Sequence, residues 1–176
     1  IRYDSMHRFL ETFGPCGLPA DAFVPSYGLA EATLGVSCGQ TWSPLVVRDF
    51  DAGSLEQDQV AESSNCESRA LVSSGYAFPF TEIAIVCPHT QKKLPEDRVG
   101  EIWVKGPGVA MGYWEQPDKS ADTFDATMWS DEEETDGWLR TGDLGFLEKD
   151  QLFITGRWKD IVIVHGRNLY PQDIEE

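Results

Sequence analysis

From about residue 40 onward, short β-prone runs recur at uneven intervals, each closed by Gly, Pro, Asn or Asp, and this feature limits the possible folds most. Candidate strands cover 45–48, 70–73, 82–87, 101–105, 151–155 and 161–164. Runs of this length between turn formers read as strands, and several of them with irregular spacing suggest a small barrel or a distorted sheet. Before residue 40 the period is helical. Met6, Phe9, Leu10 and Phe13 share one face of a helix expected over 4–13, with Asp4 or Ser5 as its cap. Pro15, Gly17 and Pro19 break the chain, and 22–25 reads as a short buried strand. It leads into a turn at Ser26-Tyr27-Gly28 and a second short helical stretch from Leu29. Another short helix is expected over 116–124, with Pro117 suited to its first turn. Two polar stretches, 53–68 and 130–136, read as loops, the second carrying five acids in seven residues. There is no internal repeat.

Composition narrows the partners. Fourteen basic and 30 acidic residues give a net charge of −16, which would repel a phosphate backbone, so nucleic acid and anionic membrane are excluded as partners. Any phosphate this chain does bind must be met locally, by Arg157, Lys159 or a metal ion. No apolar run reaches the roughly 18 residues of a transmembrane segment, and no signal-peptide pattern opens the chain. Cys16, Cys38, Cys66 and Cys87 are widely spaced without a CxxC pair, which fits reduced thiols in a cytoplasmic protein. The chain begins at Ile1 without Met and stops at Glu176 inside an expected first helical turn, so both ends read as cut.

The polar residues that could carry chemistry are individually modest. Thr141-Gly142-Asp143 presents one aspartate at a tight glycine turn beside a strand end. A carboxylate there can accept two hydrogen bonds at once and so grip vicinal hydroxyls, although the tripeptide alone favours a turn-capping role. Glu31 near a helix start is either a surface carboxylate or an oxygen ligand for Mg²⁺, which takes one or two carboxylates plus water and phosphate. Arg157, in Gly156-Arg157-Trp158-Lys159-Asp160, is a fork donor suited to phosphate or ribose oxygens.

The combination is far more specific. Tyr27-Gly28-Leu29-Ala30-Glu31-Ala32-Thr33-Leu34 precedes Gly100-Glu101-Ile102-Trp103-Val104-Lys105-Gly106-Pro107, which runs on to Gly112-Tyr113-Trp114. Then follow Gly137-Trp138-Leu139-Arg140-Thr141-Gly142-Asp143-Leu144-Gly145 and the Arg157 motif. In this order they resemble the later core motifs of the acyl-adenylating superfamily, which includes acyl-CoA synthetases, peptide-synthetase adenylation domains and luciferases. The form of the first motif and the closing Gly166-Arg167-Asn168-Leu169-Tyr170-Pro171-Gln172-Asp173-Ile174-Glu175 are similar to the fatty-acyl-AMP ligase branch, and the resemblance covers essentially the whole chain.

The resemblance implies roles residue by residue. Tyr27 would stack on adenine, Gly28, Leu29 and Ala30 would line the nucleotide pocket, and Glu31 would bind Mg²⁺. Asp143 would hold the ribose hydroxyls, Ile154 would flank adenine, Arg157 would reach ribose and phosphate, and Lys159 would be the hinge. The implied reaction is fatty acid plus ATP giving acyl-adenylate and pyrophosphate, with the acyl group passed to the 4′-phosphopantetheine of an acyl carrier protein. An acyl-CoA ligase is the nearest alternative, and a non-catalytic adenylation-like module binding lipid or nucleotide is one of another class. The family's Gly-rich phosphate loop and its C-terminal lysine would lie outside this chain, so the fragment is expected to be inactive alone. The expected fold is an α/β fragment, mostly β. Residues 1–38 would be the tail of an α/β subdomain, and 39–157 a distorted β-barrel subdomain with an insertion at about 43–75. Residues 158–176 would form the hinge and the start of the C-terminal domain.

Overall fold

A computed structural model describes residues 1–63, 68–131, 133–164 and 167–169. Gly166 and residues 170–176 of the closing motif, and with them the expected last helical turn, lie outside the described residues, as does Cys66. The chain is mostly β, as its strand spacing predicts. It opens with helix α1 (Tyr3–Phe13), whose N-terminus lies one residue earlier than expected and takes no side-chain cap. Next come β1 (Ser26–Leu29) and β2 (Leu34–Cys38), joined by a single 3₁₀ turn (Ala30–Ala32). A hairpin of β3 (Val47–Asp51) and β4 (Ser68–Val72) encloses the one-turn helix α2 (Ala52–Leu55). Then follow β5 (Tyr76–Ala77), β6 (Glu82–Val86), β7 (Gly100–Lys105), α3 (Pro117–Phe124), β8 (Ala126–Trp129), β9 (Glu134–Glu148) and β10 (Gln151–Arg157). The small hairpin β11 (Val162–Val164) and β12 (Arg167–Leu169) closes the described chain.

The six strands expected after residue 40 all exist, with ends displaced by no more than three residues. Four expectations fail near the turns. Residues 22–25 form no ladder; the strand starts at Ser26, where Tyr27 points inward between exposed Ser26 and Gly28. The expected turn at Ser26-Tyr27-Gly28 is therefore the strand itself. Gly28 is required there because a Cβ would overlap the Leu34 carbonyl oxygen across the hairpin. The helical stretch from Leu29 shrinks to one 3₁₀ turn, ended by Thr33 and Leu34 at φ 53° and 81°, a left-handed pair that side chains of this kind rarely adopt. The acidic loop at 130–136 also ends early. Glu134 already pairs with Trp129, and the Ser130 amide donates to the Glu133 carbonyl, closing a tight hairpin into β9.

The central sheet runs β10-β9-β7-β6, with β8 added along β9, and curls into a half-barrel. Both faces are covered, which explains why β7 reads as a nearly unbroken buried run instead of alternating. Ile102, Val104, Leu139 and Leu152 pack with Tyr27 and Val36 of the β1–β2 hairpin and with Phe124 of α3. Leu144, Phe146 and Phe153 pack with Phe50, Leu55 and Leu71 of the β3–β4 segment. Trp103, Trp138 and Met128 fill a third cluster with Ala84, Val86 and Ala126.

The segment at 43–75 contributes Phe50, Leu55 and Leu71 to the core. Phe50, 1% exposed, meets Phe146 and Phe153 edge-on at ring-centre distances of 4.9 and 5.5 Å. The one-turn helix behind it is capped by Asp51, whose carboxylate accepts from the Ser54 amide at 2.7 Å. The same segment receives the β11–β12 hairpin. The Asn168 amide N–H donates to the Glu56 carbonyl at 2.9 Å, its side-chain amide donates to Asp58 at 2.9 Å, and Arg167 pairs with Glu56 at 3.6 Å. No described helix is long and apolar enough to cross a membrane.

Candidate functional site

The site starts from two bulges that lie side by side. Along β7 and β9, Glu101 pairs with Leu144 and Trp103 pairs with Arg140, which leaves Thr141, Gly142 and Asp143 all facing Ile102. Gly142 makes this possible at φ 72°. On the far edge of β9 the β10 strand slips by one residue at Thr155, so Gly156 pairs with Leu144 and Arg157 comes directly across from Asp143. Thr141-Gly142-Asp143 is therefore a bulge within one long strand and not a turn before a hairpin. Bulges re-aim side chains and interrupt pairing, and here they set two charged groups next to each other.

Asp143 is the meeting point. The Tyr27 hydroxyl donates to its Oδ2 at 2.7 Å, and the Arg157 Nε–H donates to its Oδ1 at 3.1 Å. Two of a carboxylate's roughly four lone-pair sites are thereby used, and two remain for a pair of hydroxyl donors. The Arg157 side chain is 72% exposed, so its terminal nitrogens are available to an incoming anion. Burial, and then the charge of Asp143, push the Tyr27 phenol far above its ordinary range and keep it a donor. Tyr27 itself is only 8% exposed. Ile154 packs on the same core cluster as Tyr27, as does Leu29; Gly28 and Ala30 are exposed beside them.

Glu31 lies apart from this trio, with no hydrogen bond joining the two among the described residues. Its carbonyl accepts from the Ala110 amide at 2.8 Å, and its carboxylate accepts from the Tyr113 hydroxyl at 2.7 Å. That bond holds the Glu31 carboxyl below the usual carboxylate range, while the Glu31 acceptor pushes the Tyr113 phenol up to about 12. Lys119 sits 4.3 Å over the Tyr113 ring. Glu31 is thus a half-exposed, ionised carboxylate. No group of three or more His, Cys, Asp or Glu side chains that could hold a metal exists among the described residues. A Mg²⁺ ion would fit at Glu31 in the way that ion prefers, with one carboxylate and the rest water and phosphate oxygen. Lys159 falls on the exposed 3₁₀ turn (Trp158–Asp160) directly after β10.

Sequence reasoning missed three residues that hold these groups: Glu101, Arg140 and Tyr113. Glu101 offered a signal, a lone acid in the otherwise uncharged run of buried β7 residues before Lys105. A carboxylate in a strand buried on both faces needs dedicated partners. Tyr113 offered none, because its contact with Glu31 spans 82 residues.

Residues 2–114 match the AMP-binding enzyme family, and the chain belongs to that family. It is 43% identical to the medium-chain-fatty-acid–[acyl-carrier-protein] ligase JamA of Moorena producens, over 99% of this chain and 30% of that protein. It is 42% identical to the long-chain-fatty-acid–AMP ligase FadD23 of Mycobacterium tuberculosis, over 97% of this chain and 30% of that protein. Other mycobacterial relatives, 42% and 44% identical, carry fatty-acid–CoA ligase names. Among solved structures, a fatty acyl-adenylate ligase of Legionella pneumophila in complex with acyl adenylate and pyrophosphate superposes with a TM-score of 0.83 at 39% identity. That match covers 99% of this chain and 30% of that one. The chain spans about a third of the length of these relatives.

Proposed function

We propose that the protein carrying this chain activates a fatty acid with ATP and Mg²⁺ as an acyl-adenylate and delivers the acyl group to an acyl carrier protein. The observation that carries this reading is Asp143, whose two oxygens each hold one partner, Tyr27 and Arg157, and each keep acceptor capacity for a ribose diol. In the reaction a fatty-acid carboxylate oxygen attacks the α-phosphorus, the bond to the bridging oxygen breaks, and pyrophosphate leaves. Catalysis of such a step is mainly positioning and charge neutralisation.

Asp143 fixes the ribose, and Arg157 supplies a cation toward ribose and phosphate. Gly28, Leu29, Ala30 and Ile154 border the base, with Tyr27 as its aromatic wall. Glu31 would take Mg²⁺, which when bound neutralises charge on the leaving phosphates. Lys159 follows as the hinge. A cytoplasmic setting fits a reaction that draws on ATP and a carrier protein.

Delivery to a carrier protein draws support from the JamA relative and from the hold that residues 56–58 take on the β11–β12 hairpin just beyond the hinge. The relatives named as CoA ligases favour CoA as the acceptor instead. Incubating the full-length protein with ATP, Mg²⁺, fatty acid and CoA, then separating acyl-AMP from acyl-CoA by chromatography, decides between them. Acyl-adenylate with little acyl-CoA is expected. Robust acyl-CoA would establish the CoA ligase, and absence of both products together with absent fatty-acid-dependent pyrophosphate exchange would overturn the adenylation reading.

A further inference from the structure

The bulge that carries Asp143 is held from behind by a buried carboxylate. Glu101, 3% exposed, stands on β7 at the point where the ladder to β9 is interrupted. Its Oε2 accepts from both Nε and Nη2 of Arg140, at 3.2 and 2.9 Å, and its Oε1 accepts from the Gly142 backbone N–H at 3.1 Å. Arg140 is fixed in turn by lying 5.5 Å over the Trp103 ring. The two oxygens therefore act separately. One neutralises the arginine, and the other replaces the ladder partner that the bulge removes from Gly142.

The remaining bulge groups are tied in series. The Thr141 hydroxyl donates to the Ile102 carbonyl at 2.7 Å and accepts from the Asp143 amide at 3.1 Å. Gly142 at φ 72° is the residue with most freedom to relax, and among the described residues the only side chain bonded to its amide is Glu101. Asp143 is the next residue. The position of its carboxylate between Tyr27 and Arg157 is thus set through Gly142 by Glu101.

We propose that Glu101, with Arg140, is the positioning pair for the diol-binding carboxylate: it touches no nucleotide and acts on ribose through the Gly142–Asp143 peptide. This rests on the reading of Asp143 as the ribose ligand, and the test keeps the two apart. The full-length protein and its Glu101→Gln variant are titrated with ATP and with 2′,3′-dideoxy-ATP by calorimetry. Wild type should favour ATP by about 10- to 100-fold, the range of a charge-assisted hydrogen bond. In Glu101→Gln, affinity for ATP should fall at least about tenfold while affinity for the dideoxy nucleotide stays within about twofold, because only the hydroxyl contact is disturbed.

Equal losses on both nucleotides would show a general structural role and overturn the inference. A wild type that does not distinguish the two nucleotides would overturn the ribose reading itself. A double variant with Asp143→Asn supplies a second arm: if Glu101 acts through Asp143, adding Glu101→Gln to Asp143→Asn costs nothing further in ATP affinity, whereas additive losses refute it. Should Glu101→Gln not fold, Arg140→Lys keeps the cation and loses the fork. It should reduce the ATP preference in the same direction, and an unchanged preference would overturn the proposal.

Discussion

The bulged centre of β9 and the β3–β4 hairpin are joined to the same sheet in opposite ways. Around Asp143 the fold uses polar side chains: Glu101, Arg140, Thr141, Tyr27 and Arg157 each make a directed bond at or beside the bulge. Around Phe50 it uses rings, three phenylalanines in mutual contact with no polar partner needed. Directed bonds fix where one atom lies, and rings fix only that two elements stay together. A site needs the first kind and an attachment needs the second. The contrast implies that damage at Phe50 should reduce stability with little change in nucleotide recognition, and damage at Asp143 the reverse.

The largest effect is expected at the attachment. Phe50→Ala should destabilise the folded protein by about 3–5 kcal/mol, read as a lower denaturant midpoint, with nucleotide affinity of the folded fraction unchanged. A matching loss of ATP affinity would erase the contrast. Next in size, Asp143→Ala should weaken nucleotide binding by about 1.5–3 kcal/mol and abolish pyrophosphate exchange while the melting curve holds. Unchanged calorimetry and exchange would remove Asp143 from the site. Glu31→Gln should raise the Mg²⁺ concentration for half-maximal activity several-fold, since the amide keeps the shape and loses the charge; an unaltered titration would make Glu31 a surface residue.

Tyr113→Phe tests the same carboxylate by pH. The Tyr113 bond holds the folded-state pKa of Glu31 below its unfolded value of about 4.3. Its contribution to stability is therefore complete above that value and lost as pH falls through the lower folded one. In Tyr113→Phe the acid loss should start at the same pH, be smaller and end at a higher pH, measured as melting temperature against pH. A profile superposing on wild type would show that the bond does not persist in solution. The smallest effect is expected at Asn168→Ala, which removes a hydrogen bond worth about 0.5–1.5 kcal/mol between the hinge-side hairpin and Asp58. A modest rise in acyl-CoA relative to acyl-AMP would link that contact to acceptor choice, and a constant ratio would separate them.

Much of the sheet was legible because its strands carry their own turn punctuation. The runs at 82–87 and 101–105 matched to within a residue, being apolar and bounded by Pro or Gly. Short partners without a distinctive pattern were not legible. β2 has only Val36 and Ser37 buried, and β8 becomes a strand because β9 pairs with it. The closeness of Tyr27, Asp143 and Arg157 followed from their motifs, yet no spacing revealed that Asp143 sits in a bulge. That depends on where β7 and β10 fall out of step with β9, a property of three strands together. The 22–25 run misled for a related reason: four apolar or extended-prone residues look like a strand, and only the absence of a neighbour among the described residues denies them a ladder.

The hydrogen bond from Tyr27 to Asp143 joins residues 116 positions apart. Contacts so distant in sequence close late, after local hairpins have formed, because the loop entropy must be overcome first. Asp143 and Arg157 can meet early, in the β9–β10 hairpin, but Tyr27 joins them only when the opening segment has docked. A newly made chain would therefore complete the Tyr27–Asp143–Arg157 trio near the end of its folding. By mass action, any nucleotide that binds at Asp143, as proposed, would draw the last docking step forward.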